Sequence, residues 1–106
     1  MTLQEREARA CTIIDSMIEE LRDISLYLHD NPELGLNEHK AVKIIHQFLE
    51  NHNFTSQVGL TDYPELQTAL RGDHNHDTRY KIAFLGEYDA LPELGHGCGH
   101  NLIAMM

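Results

Sequence analysis

The apolar pattern changes period once, near residue 54, and that change most constrains the fold. Between residues 3 and about 29, Ile13, Ile14, Met17, Ile18, Leu21, Ile24 and Leu28 recur at helical spacing. Glu5, Arg6, Glu7, Arg9, Glu19, Glu20, Arg22 and Asp23 fill the other faces. This stretch is expected to be one amphipathic helix. Asn31-Pro32 ends it, because a residue before proline avoids the α region. Pro32-Glu33-Leu34-Gly35 then reads as a turn. A second helix is expected to begin near Asn37 as N-cap, with Glu38 in its first turn. It carries Ala41, Val42, Ile44, Ile45, Phe48 and Leu49 on one side and ends at Asn51-His52-Asn53. Beyond it, short apolar runs replace the stripe. Residues 54–60 and 66–70 are strand candidates, with limits blurred by Gly59 and Pro64. Tyr80 to Leu85 is the clearest strand expectation, since a short apolar run between turn residues suits a buried strand. Asn101 to Met106 reads as the opening of another helix. Two helices followed by strands of a mixed sheet make an α/β chain.

The length of 106 residues allows one modest domain or a piece of a larger one. The apolar run Leu102 to Met106 at the chain end leads us to expect an element whose packing partners lie further on. Acidic residues number 17 against 8 Lys and Arg, a net charge of −9. Binding a duplex requires basic side chains against phosphate, so nucleic acid is not an expected partner. An anionic membrane surface is disfavoured for the same reason. No apolar run approaches the roughly 18 residues of a membrane span. Two cysteines do not make a disulfide scaffold, and no secretory leader is legible. A reduced, cytoplasmic setting is expected.

The chemistry is concentrated in residues 82–101, IAFLGEYDALPELGHGCGHN. An expected strand leads into a loop with Glu87 and Asp89, and then into His96-Gly97-Cys98-Gly99-His100. In α/β folds, functional groups gather beyond the carboxyl ends of strands. Cys thiolate and His imidazole are good ligands for zinc and similar ions. Glycines beside Cys98 allow the tight bend that turns two ligands toward one ion. Spacing alone makes C-x-H a weak metal signal, because structural zinc sites use two separated ligand pairs.

GEYDALPELGHGCGHN resembles the metal-site segment of the M20 metallopeptidase family, in its amidohydrolase branch. That branch includes aminoacylase-1-like dipeptidases and p-aminobenzoyl-glutamate hydrolases. LHDNPELGLNEHKAVKIIHQFLE is similar to the branch's N-terminal helix-turn-helix. The two motifs occur in family order, and the resemblance covers nearly all of residues 1–106. It implies the N-terminal part of a zinc-exopeptidase-like catalytic domain, without its later lid domain. It implies Cys98 and His100 as metal ligands, Asp89 as the residue that orients the site, and a divalent ion, zinc or manganese, with two ions in an intact parent. Glu87 stands where other branches place a histidine ligand, so Glu87 and His96 are carried as site neighbours. The implied reaction is hydrolysis of a dipeptide or N-acyl amino acid by metal-activated water. The family's general-base Glu and further ligands have no match here. The implied partner is therefore a small amide substrate, and any oligomer would need the lid.

The other histidines read more plainly. His29 suits a helix end. His39, His46 and His52 are expected on the surface, and His74 and His76 in a solvated turn. Cys11 is expected to pack on the first helix. Two readings compete with hydrolase chemistry: a truncated, non-enzymatic remnant, and a small metal-binding or interaction module.

Overall fold

A capping box starts the first helix. The Thr2 hydroxyl accepts from the Glu5 amide at 3.2 Å, and the Glu5 carboxylate accepts from the Thr2 amide at 2.6 Å. The computed structural model describes residues 1–75 and 77–106. In it, helix α1 runs from Leu3 to Asp30, and Asn31 caps its end as the proline rule anticipates. Its 28 residues make a rod of about 42 Å, close to the molecule's longest extent of 47 Å. Helix α2 follows at His39–Asn51. Strands β1, Thr55–Val58, and β2, Leu70–Asp73, pair antiparallel with Thr55 opposite Asp73 and Val58 opposite Leu70. A 3-10 turn at His96–Cys98 leads into the short helix α3, His100–Ile103.

The core lies where the C-terminal end of α1 crosses α2. Ile24, Leu28, Ala41 and Ile45 are buried there, and Phe48, Leu49, Leu70, Tyr88, Ala104 and Met105 pack around them. The chain end therefore closes back over the two helices. Asn101 fixes that closure. It is buried, and its amide donates to the Ser25 hydroxyl at 3.1 Å and to the Ser25 carbonyl at 3.3 Å. Two buried polar side chains satisfy one another, which offsets the cost of burying either.

The α/β class holds, with several corrections in detail. The sheet is not mixed: it is a two-stranded antiparallel hairpin. Residues 80–85 form no strand, and Ile82, Phe84 and Leu85 are exposed at 83%, 93% and 97%. An apolar run becomes a strand only when another strand pairs its amides and carbonyls. Among the described residues no strand pairs with 80–85, which stays outside the sheet and exposed. The second strand also begins at Leu70, where the 66–70 candidate ends, because residues 60–69 are consumed by turns. The stripe on α1 is covered only at its C-terminal end: Ile13, Ile14 and Ile18 remain about half exposed. Cys11, on that same uncovered half, is free and exposed rather than packed.

The start of α2 also differs. Its N-cap is Glu38, not Asn37, and Glu38 makes no side-chain cap bond. The cap comes from Glu33, five residues before that N-cap. The Glu33 carboxylate accepts from the Lys40 amide at 2.8 and 3.0 Å and from the Ala41 amide at 2.8 Å. These are first-turn N–H groups with no partner inside the helix. Among the described residues, no helix is long and apolar enough to cross a membrane.

Candidate functional site

The loop from Glu87 to His100 is shaped by two backbone positions that need glycine. Gly95 has φ 61° and closes a tight turn, with Leu91 and Gly95 exchanging backbone bonds at 3.0 and 2.9 Å. Gly99 has φ 87° and caps α3. Side chains other than glycine rarely adopt either conformation. The two turns place Cys98 and His100 on either side of Gly99, both partly buried.

His100 is the centre of the arrangement. Its Nδ1 lies 2.7 Å from Asp89 Oδ1 and 3.2 Å from the Asp89 carbonyl. An ionised carboxylate only accepts, so Nδ1 carries the proton. On the other side of the ring, Nε2 lies 3.2 Å from Glu87 Oε2. The hydrogen bond to Asp89 raises the His100 pKa above the usual imidazole range. Burial opposes that shift, and the negative charges of Asp89 and Glu87 reinforce it. The structure thus brings Glu87, Asp89 and His100 together around one ring.

Cys98 stands just before this ring, with its sulfur 4.0 Å from the Gly95 carbonyl. Among the described residues, no three His, Cys, Asp or Glu side chains are arranged to hold a metal ion. The donor chemistry nevertheless suits part of a metal shell. A histidine whose Nδ1–H is fixed on a carboxylate offers Nε2 to a metal, in the tautomer that ligation requires. Cys98 and His100 supply one soft and one borderline donor.

His96 is more deeply placed than its sequence position suggests. It is 6% exposed, and its Nδ1 has no hydrogen-bond partner among the described residues. Burial lowers its pKa, the His100 and His29 charges lower it further, and Asp89 opposes them. His29 does end α1, beside Asp30 at 3.3 Å.

Two other histidines depart from the surface picture, while His74 keeps to its expected solvated turn. His46 Nδ1 meets the Ser56 hydroxyl at 2.7 Å, joining α2 to β1. His52 meets Glu20 at 3.1 Å and lies against the Phe48 ring at 4.4 Å. His74 is exposed, with its ring 5.0 Å from that of Phe54. Its expected neighbour in the turn, His76, lies outside the described residues. His39 is exposed.

Sequence reasoning missed Glu33. Besides capping α2, its carbonyl accepts from the Ala90 amide at 2.7 Å, next to Asp89. Only its charge hinted at this, three residues after the end of α1 and just upstream of a helix without a capping side chain of its own.

No family model matches the chain. Individual proteins do. The chain is 32% identical over 111 residues to Xaa-Arg dipeptidase of Homo sapiens, covering 96% of this chain and 26% of that protein. It is 36% identical over 108 residues to Xaa-Arg dipeptidase of Mus musculus, covering 96% and 25%. It is 34% identical over 103 residues to N-acetyldiaminopimelate deacetylase of Lactococcus lactis, covering 77% and 25%. The chain thus spans about a quarter of the length of these curated relatives.

Proposed function

The chain belongs to the M20 amidohydrolase family, and from that premise we propose that it is the N-terminal part of a metal-dependent catalytic domain. The reaction is hydrolysis of an amide bond in a dipeptide or an N-acyl amino acid. The names of the relatives support this substrate class. One observation carries the assignment to these residues: the His100 ring is held on Asp89 through Nδ1, on the turn that also presents Cys98.

Cys98 and His100 hold a divalent ion, zinc or manganese, with the remaining ligands outside these 106 residues. When bound, the ion supplies Lewis acidity for amide hydrolysis. Asp89 keeps the Nδ1 proton in place and fixes the plane of the ring. Glu87 sits at Nε2, the nitrogen that ligation needs, so proton and metal compete for one atom there. A reduced, cytoplasmic setting suits this reading, because both cysteines are free and a thiolate ligand must stay reduced. The hydrolysis belongs to the whole protein, and residues 1–106 alone are inactive.

Metal content of the purified chain, measured by plasma mass spectrometry beside Cys98→Ser, tests the assignment. Bound metal that disappears in the variant supports it. No metal above the variant's level rejects Cys98 and His100 as a site within this chain. Dipeptide hydrolysis is expected to be absent from both. Turnover that follows metal loading and vanishes in Cys98→Ser would make the chain active by itself.

A further inference from the structure

The turn between α1 and α2 touches the site loop at three consecutive residues. The Glu33 carboxylate is locked on the first-turn amides of α2, at 2.8 to 3.0 Å from Lys40 N and 2.8 Å from Ala41 N. There it also meets the positive end of the helix dipole. The carbonyl of the same residue holds the Ala90 amide at 2.7 Å. Leu34 forms an isolated parallel bridge with Ala90, which is buried. Gly35 lies beside Asp89, where a Cβ would sit 3.8 Å from Oδ2. The other oxygen of that carboxylate is the one bonded to His100.

We propose that Glu33 is a positioning residue for the Asp89–His100 pair. Its side chain anchors the turn to α2. The anchored turn fixes the carbonyl that holds Ala90, and so the direction from which Asp89 meets the ring. The functional meaning of this clamp rests on the reading of His100 as a metal ligand; the clamp itself does not. A residue that merely capped α2 would change helix stability and leave the His100 ring undisturbed.

The test uses the whole 106-residue chain and four variants. Glu33→Ala removes the anchor. Glu33→Asp keeps the charge but falls one methylene short, and it serves where Glu33→Ala does not fold. Glu33→Gln keeps an acceptor oxygen. Lys43→Gly weakens α2 at an exposed position away from the turn. The first readout is the proton resonance of the His100 Nδ1–H group, a direct signature of its bond to Asp89. The second is a cobalt(II) titration followed by the thiolate absorption of Cys98.

Glu33→Ala and Glu33→Asp are expected to shift or abolish the Nδ1–H resonance and to weaken cobalt binding about tenfold or more, the usual effect of disturbing a ligand's support. Glu33→Gln is expected to restore most of both, and Lys43→Gly to leave both as in the parent. A parental resonance in Glu33→Ala or Glu33→Asp overturns the proposal. So does an equal shift in Lys43→Gly. If the resonance responds as expected while no variant, nor the parent, binds cobalt, the clamp stands and the metal reading falls.

Discussion

Tyr88 ties the site loop to the segment between the strands, and its chemistry is local. Its hydroxyl donates to the Thr68 carbonyl, while the Thr68 hydroxyl donates to Glu38 at 3.2 Å. Burial, and then the nearby Glu38 charge, push the phenol from 10.0 up to about 12. The folded state therefore keeps its proton in a range where the unfolded chain has lost it. By linkage, this contribution to stability is intact below about pH 10 and is lost as pH rises toward about 12. The urea midpoint is expected to fall across that window, and less steeply in Tyr88→Phe. An equal fall in the variant would show that Tyr88 does not carry the effect. Residue identity made the loop's chemistry readable in sequence. Glu87, Asp89, Cys98 and His100 stood out as a cluster, and three of the four meet in space. Glu33 did not stand out, because its role depends on two contacts, seven and 57 residues away in the chain.

At the scale of elements, α1 is one helix in two environments. Its C-terminal end is buried against α2 and α3, with Leu28 1% exposed. Its N-terminal half carries the same apolar stripe into open solvent, with Ile14 50% exposed. Leu28→Ala is expected to cost about 2–5 kcal/mol by urea unfolding, because it leaves a cavity in the core. Ile14→Ala is expected to change stability by no more than about 0.5 kcal/mol. Equal effects at the two positions would mean that the N-terminal half of α1 is covered in solution. The helical period was legible because it is local. Which part of the stripe is buried was not, because burial depends on where α2 and the chain end come to rest.

At the scale of the molecule, the segment 80–85 carries a run of exposed apolar side chains. Ile82, Phe84 and Leu85 expose apolar side chains beside an unladdered backbone, a template for pairing with another chain. Ile82→Lys with Phe84→Lys is expected to lower concentration-dependent light scattering while leaving the urea midpoint within about 0.5 kcal/mol of the parent. A large loss of stability would show that the segment packs against the fold. α2 covers one face of the two-stranded hairpin at Gly72, where a Cβ would meet Leu49 at 3.0 Å, and 80–85 joins neither of its edges.

The sequence by itself determined what depends on near neighbours. It set the helical period through residue 51 and the stop at Asn31-Pro32. It also set the glycine-bounded donor pair at Cys98 and His100 and the motifs that identify the family. Tertiary structure alone decided the rest. It chose the strand pairing, because a strand exists only through a partner. It left half of an amphipathic helix uncovered, because a stripe is buried only where another element lands. It capped α2 with Glu33 and turned His100 onto Asp89, because a hydrogen bond between distant residues depends on where the fold brings the chain.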